Sequence, residues 1–240
     1  ETSLHEWVAE NATPGAVIGF DPWLHTVEQI ETLRTGLEGS GISLVASSNG
    51  IDAIWTDRPA PPNAPAWAHP PHLCGDSAEE KTRRLGAAIA AHSAQTAVIT
   101  LPDSLCWLLN LRGSDVPRTP IVHCFGLLSD NGALTLFGDE AKFADLTLPD
   151  TVTLAPWDAF SRHLKDLTGT VLIEPASLPQ AAFDALTSGA AKILRGLDPC
   201  RLPKARKTRT ELDGCRAAHL RDGAAMADVV PHTARQFARA

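Results

Sequence analysis

The stretch of residues 97–122, AVITLPDSLCWLLNLRGSDVPRTPIV, decides the fold class of this chain. It starts with an apolar, β-branched run that is typical of a strand. Pro102 then opens a helical turn, because proline is favoured at the first helical position, and the apolar residues after it predict that the turn is buried. A polar loop with Gly113 follows, and a second strand is predicted over 121–128. This order of elements places a few polar groups at one point of a rigid scaffold.

Short apolar strands alternate with amphipathic helices on both sides of this stretch, which predicts an α/β fold. Asn131-Gly132 predicts a hairpin closed by a two-residue turn. An antiparallel hairpin among alternating strands and helices indicates a mixed β-sheet flanked by helices, unlike a purely parallel nucleotide-binding sheet. The chain also has no glycine-rich phosphate-binding motif.

The chain divides into four segments. Residues 1–50 predict part of a first α/β domain, similar to the one that follows. Residues 51–75 contain RPAPPNAPAWAHPPH, which predicts an extended linker without helix or central strand. Residues 76–200 predict a complete second domain, and residues 201–240 predict a linker and one long helix, 208–230, that ends at Pro231.

Composition excludes several classes of protein. The formal net charge of -7 argues against a nucleic-acid partner. No apolar run reaches the roughly 20 residues of a membrane span. The five cysteines form no CxxC pair and the histidines no HxxxH or HxH pair, so no metal site is predicted. Such cysteines suit reduced thiols, and we expect a cytoplasmic protein, although pairing in an oxidising compartment stays open.

Three motifs carry a family resemblance. Residues 107–116, WLLNLRGSDV, resemble the WLxNxRGSDV signature of the Xaa-Pro aminopeptidases in the creatinase/prolidase group. Residues 53–59, AIWTDRP, and residues 202–225, LPKARKTRTELDGCRAAHLRDGAA, are similar to two further segments of that family. The three lie in the family's order. The resemblance therefore implies creatinase/prolidase-like N-terminal domains, followed by the first helix of a truncated pita-bread catalytic domain.

The resemblance also implies a chemistry. Family members hydrolyse the bond between an N-terminal residue and a following proline. They use two divalent metal ions, usually manganese, held by two Asp, one His and two Glu. None of those ligand motifs can be matched to a residue of this chain. We therefore expect no catalytic residue, metal ligand or cofactor here, and no activity from this chain alone. The full enzyme is expected to be a homo-oligomer that binds peptides with proline in second position.

Arg112 and Asp115 are the candidate substrate-binding residues. A polar loop that faces the mouth of the catalytic pocket or a partner chain would let Arg112 hold a carboxylate through two hydrogen bonds. The alternative is that Arg112 and Asp115 pair with each other and fix the turn.

A non-catalytic reading of the whole chain also stays open. The chain could be a stand-alone dimerisation or interaction module, or a truncated inactive paralogue.

Overall fold

The computed structural model describes the backbone of residues 2–237 and the side chains of residues 2–227 and 229. The first part of the chain, which we call the first unit, contains five elements. They are α1 (Leu4–Asn11), β1 (Val17–Phe20), α2 (Val27–Gly36), β2 (Ser43–Ala46) and α3 (Gly50–Ile54). β1 and β2 pair in parallel as a two-stranded sheet.

The proline-rich segment differs from the predicted extended linker. It contains a short strand, β3 (Trp67–Ala68), and one helical turn, α4 (Pro71–Cys74). The prediction that this segment has no helix is wrong for α4. Pro71 lies in the first turn of that helix, where a proline has no intrahelical hydrogen bond to lose. Residues 50–54, at the start of the predicted linker, also form a helix, capped by the side chain of Asn49.

The second domain is an α/β domain, as predicted. Its elements are α5 (Ala78–Ala91), β4 (Thr96–Ile99), α6 (Pro102–Leu109), β5 (Leu111–Arg112), β6 (Phe125–Ser129), β7 (Leu134–Phe137), a 3-10 helix (Glu140–Phe143), β8 (Val152–Ala155), α7 (Ala159–Asp166), β9 (Thr170–Ile173), α8 (Gln180–Thr187) and β10 (Lys192–Arg195). Six of the strands form one mixed sheet in the order β10-β9-β4-β6-β7-β8. The pairs β4–β6 and β6–β7 are antiparallel, and the other three are parallel.

Apolar side chains cover both faces of this sheet. One cluster contains the buried side chains of α5 and α6. The other contains those of α7 and α8, together with Val27 of the first unit. The sheet is therefore enclosed between helices, which is the usual arrangement for parallel strands.

The hairpin between β6 and β7 is present, but the predicted two-residue turn is wrong. Its loop has three residues, because the N–H of Ser129 donates to the carbonyl of Ala133. Only Gly132 has a positive φ, +87°. This is the three-residue loop that places one glycine in the left-handed region. The predicted strand 121–128 is also shorter at its start, since β6 begins at Phe125.

Helix α9 (Arg201–Ala205) follows the second domain, and helix α10 (Arg209–Phe237) follows α9. Thr208 and Glu211 form a reciprocal capping box at the start of α10. The helix continues through Pro231, so the predicted end at that residue is wrong. No helix in the described part of the chain has the length and apolar character of a membrane span.

The first unit repeats the last five elements before α10. The order α1-β1-α2-β2-α3 has the same element types as α7-β9-α8-β10-α9, and both strand pairs are parallel. The match extends to single residues: Val17 corresponds to Thr170 and Phe20 to Ile173, and the same shift carries Pro22 onto Pro175. The chain therefore contains two copies of one helix–strand–helix–strand–helix unit.

The two copies meet through reciprocal main-chain hydrogen bonds. The N–H of Val27 donates to the carbonyl of Leu178 (3.0 Å), and the N–H of Gln180 donates to that of His25 (2.8 Å). A second reciprocal pair joins Glu28 to Pro175 and Ala181 to Pro22. The donors lie at the first turns of α2 and α8, where helix N–H groups lack an intrahelical partner. Each copy thus satisfies the free helix end of the other around a local two-fold axis.

Candidate functional site

The signature segment forms α6, an abrupt turn and β5. Pro102 opens α6 at its first turn, and Asn110 ends it in the left-handed conformation at φ 53° and ψ 46°. Asparagine tolerates this conformation better than most residues. β5 then pairs antiparallel with β3 of the proline-rich segment, with Arg112 opposite Trp67. The turn at Asn110 is therefore held by α6 on one side and by the pairing of β5 with β3 on the other.

Asn110 connects three neighbouring segments. Its side-chain amide donates to the carbonyl of Asp76 (3.0 Å), and its own carbonyl accepts from the N–H of His69 (2.7 Å). Its Oδ1 accepts from Nζ of Lys81 (2.5 Å). These bonds join the signature turn to α5 and to the segment before α4.

Asp115 lies in the interior of the second domain. Its Oδ2 accepts from Nζ of Lys142 (2.6 Å) and from the backbone N–H of His123 (2.7 Å). The side chains of Lys142 and Asp115 are 4% and 1% exposed. A buried ion pair of this kind fixes the loop, because removing either partner leaves an uncompensated charge in the interior.

Arg112 lies apart from that ion pair. Its Nη1 donates to the carbonyl of Leu111 (3.0 Å), and the structure contains no Arg112–Asp115 pair. The side chain is half-buried and lines a cavity of about 590 Å³. The predicted pair of site residues thus separates into a buried anchor, Asp115, and a cavity-lining side chain, Arg112.

The cavity lies between the signature turn and the face of α10. Trp107, Asn110 and Lys81 line one side, and Lys207, Glu211 and Arg221 line the other. His69 and Cys74 complete its wall. Burial, together with the positive charges of Arg112 and Lys81, lowers the pKa of His69 and favours its neutral form. Burial raises the pKa of the Cys74 thiol and keeps it protonated.

Two residues of the candidate site were missed in the sequence, Lys81 and Lys142. Lys81 is 2% exposed, and its ammonium lies 4.6 Å from the centre of the Trp107 ring. A signal for Lys81 exists, because its spacing from Leu85 and Ile89 places it on the buried face of α5. Lys142 lies in a 3-10 helix, where no such periodicity is available.

The other conspicuous motif, AIWTDRP, lies at the surface. Trp55 is 48% exposed. Arg58 pairs with Asp52 and lies over the Trp55 ring. These contacts are local to the segment.

The described residues contain no cluster of three or more His, Cys, Asp or Glu side chains that is arranged to hold a metal ion. They therefore do not fit a metal centre. All five cysteines are free thiols, four of them buried.

Comparison with known proteins places this architecture in a family. Residues 57–211 match the model of the Creatinase/Prolidase N-terminal domain. The chain belongs to this family. Its fold also resembles the crystal structure of X-prolyl aminopeptidase from Caenorhabditis elegans, described as a cytosolic enzyme with a di-nuclear active site. That match has a TM-score of 0.82 and 25% identity, and it covers 95% of this chain and 39% of the enzyme.

Curated relatives agree with this assignment. A probable Xaa-Pro aminopeptidase P of Coccidioides posadasii is 33% identical over 240 residues, which is 93% of this chain and 36% of the relative. One from Paracoccidioides brasiliensis is 33% identical over 238 residues, which is 92% of this chain and 39% of the relative. The chain is thus a homologue of Xaa-Pro aminopeptidases P and spans less than two-fifths of their length.

Proposed function

We propose that this chain is the non-catalytic N-terminal portion of a metal-dependent Xaa-Pro aminopeptidase. The whole enzyme would hydrolyse the bond between an N-terminal residue and a following proline, in the cytoplasm. Two divalent metal ions, of which manganese is the best candidate, would be held by residues outside this chain. The observation that carries the proposal is the match to the C. elegans enzyme, which extends over 95% of this chain at a TM-score of 0.82.

An activity assay tests this proposal. The purified chain is incubated with manganese and an Xaa-Pro peptide, and release of the N-terminal residue is measured. We expect no release above the blank from the chain alone, and release from the product of the full gene. Activity of the chain alone would contradict the non-catalytic assignment. A stop codon directly after Ala240 would contradict the assignment to a longer enzyme.

We also propose that residues 1–50 are the C-terminal part of a first creatinase-like domain, with residues 51–75 as a linker, 76–200 as the second domain and 201–240 as the start of the catalytic domain. The repeat supports the assignment of residues 1–50 to an incomplete domain. In the second copy, β4 pairs in parallel with β9 on the edge opposite β10, whereas the corresponding edge of β1 has no partner among the described residues. A strand from outside this chain would complete the same arrangement.

For the signature loop, we propose that Arg112 faces the substrate side of the whole enzyme and that Asp115 positions the loop through Lys142. The cavity position of Arg112 and the buried ion pair of Asp115 support this division. Direct contact of either residue with substrate stays a prediction. In the full enzyme, Arg112→Gln is expected to raise KM with little change in kcat, and an unchanged KM would contradict its role.

A second candidate function is an interaction module, and the exposed apolar side chains of the first unit favour it. Val17, Trp7 and Ile54 are 65%, 57% and 75% exposed. Apolar surface of this kind is typical of a face that another chain covers. Sedimentation equilibrium tests the interaction module: self-association of the 240-residue chain supports it, together with a homo-oligomeric enzyme, whereas a monomer at all concentrations contradicts both for this chain.

A further inference from the structure

The cavity behind the signature turn contains a buried ammonium, that of Lys81, which has no carboxylate within ion-pair distance among the described residues. Nζ of Lys81 donates to the carbonyl of Trp107 (2.7 Å) and to Oδ1 of Asn110 (2.5 Å). In the described part of the chain, Lys81 forms no ion pair. Burial of the ammonium lowers the pKa of Lys81. An ammonium has three N–H donors, so these two bonds leave one free.

Part of this arrangement is structural. The carbonyl of Trp107 belongs to the last turn of α6, where a cation interacts favourably with the helix dipole. That interaction explains why Lys81 is tolerated in the interior. It does not explain the further cations around the same cavity.

Three more cations line the cavity against a single carboxylate. Arg112, Lys207 and Arg221 contribute positive charge, and Glu211 contributes the negative charge. Glu211 is already engaged, because its Oε2 accepts from the N–H of Thr208 in the capping box. Among the described residues, Arg112 makes one hydrogen bond, from Nη1 to the carbonyl of Leu111, so most of its donors are free. The cavity thus has a strong excess of N–H donors and positive charge.

We propose that this cavity binds an oxyanion group, a carboxylate or a phosphate, between the ammonium of Lys81 and the guanidinium of Arg112. Arginine matches the planar geometry of such groups with two parallel hydrogen bonds, and lysine adds a point charge. Trp107 forms an apolar wall beside the bound group. The inference goes beyond the proposed function, because it concerns binding by this chain itself and requires no peptidase activity.

Titration of the 240-residue chain with sodium acetate or sodium phosphate tests the site. Calorimetry is carried out at constant ionic strength, with sodium chloride as the balancing salt. We expect saturable binding with one site per chain, and a matching NMR shift of the Trp107 indole N–H. Trp107→Phe assigns that signal. Binding of acetate alone identifies a carboxylate ligand, and binding of phosphate alone identifies a phosphorylated one.

Two variants distinguish binding at a specific site from a general effect of positive charge on anion binding. Arg112→Gln is expected to weaken binding about tenfold or more, since a charge-assisted hydrogen bond contributes on that scale. The matched control is Arg83→Gln, because Arg83 is exposed on the same helix as Lys81 and does not line the cavity. Thermal unfolding checks that both variants are folded. Lack of saturable binding by either anion, or an equal loss in both variants, would overturn the proposal.

Discussion

The two copies of the repeated unit have the same local structure and very different surroundings. In the second copy, β9 lies inside a six-stranded sheet, and Val171 and Ile173 are fully buried. In the first copy, β1 pairs with β2 and with no other strand of the described residues, and the corresponding residues are Ile18, half-buried, and Phe20, 8% exposed. The comparison shows that element order and parallel strand pairing determine the shape of the unit, while its neighbours determine how much apolar surface it buries.

The largest expected difference concerns ion pairs. Asp115→Ala leaves Lys142 unpaired in the interior, and we expect the free energy of unfolding to fall by about 3–5 kcal/mol. Glu31→Ala removes the partner of Arg195 at the junction of the two copies, where the side chains are 42% and 48% exposed. The expected loss there is about 0.2–1 kcal/mol, because exposed ion pairs are weak. Urea unfolding followed by circular dichroism measures both variants. Equal losses would contradict the distinction between interior and junction.

Matched truncations of one leucine in each copy sharpen the comparison. Leu186 on α8 is 0% exposed, and the corresponding residue on α2 is Leu33, which is half-buried. Leu186→Ala is expected to cost about 2–5 kcal/mol, since it opens a cavity in the core. Leu33→Ala is expected to cost about 1 kcal/mol, because less apolar surface is removed from burial. Both values come from urea unfolding, and a larger loss for Leu33→Ala would reverse the ranking.

The smallest expected effect depends on pH. Asp198 follows β10, and its Oδ1 accepts from the N–H of Cys200 (2.7 Å). Asn49 follows β2 and accepts in the same way from Ile51 (2.9 Å). Burial raises the pKa of Asp198, so the folded chain holds this proton more tightly than the unfolded chain does. Its contribution to stability is therefore greatest below the ordinary carboxyl pKa and decreases as the pH rises towards the raised value.

Asp198→Asn removes this dependence and keeps the oxygen acceptor. We expect the variant to gain stability relative to the parent chain between pH 4 and pH 8, measured as the urea midpoint at each pH. Asn49→Asp is the matched control, and its position, half-buried where Asp198 is buried, predicts a flatter response. Parallel pH profiles for Asp198→Asn and the parent chain would contradict the assignment to Asp198.

Much of this architecture was predictable from local sequence patterns. Helix α5 is predictable from the capping box of Ser77 and Glu80 and from its apolar face, and β9 from its apolar run. The positions where the structure differs from the prediction depend on the structure around them. Pro71 is compatible with a helix because it lies in the first turn, where proline is tolerated. The length of the hairpin loop at Gly132 depends on strand register, which two residues alone do not determine.

The candidate site was predictable only in part. The signature identified Arg112 and Asp115 as notable, but their separation depends on Lys142, which lies 27 positions after Asp115 in sequence. The cavity also requires α10 to pack against α4, a long-range contact with no local signal. For Lys81, the helical spacing indicates a buried position, whereas the charge of a lysine is typical of an exposed one. Its burial was therefore not predicted.

Because of the reciprocal hydrogen bonds between the two copies, we expect them to stay together when the chain between them is cut. Val27 is buried in the core of the second domain, and the paired helix ends hold the first unit there, while residues 51–62 are exposed. The connecting peptide, residues 51–62, is therefore not the main interaction that holds the first unit against the second domain. A protease that cuts this peptide is expected to leave two fragments that elute together in size-exclusion chromatography. The two pieces, made as separate polypeptides, would then reassemble by fragment complementation.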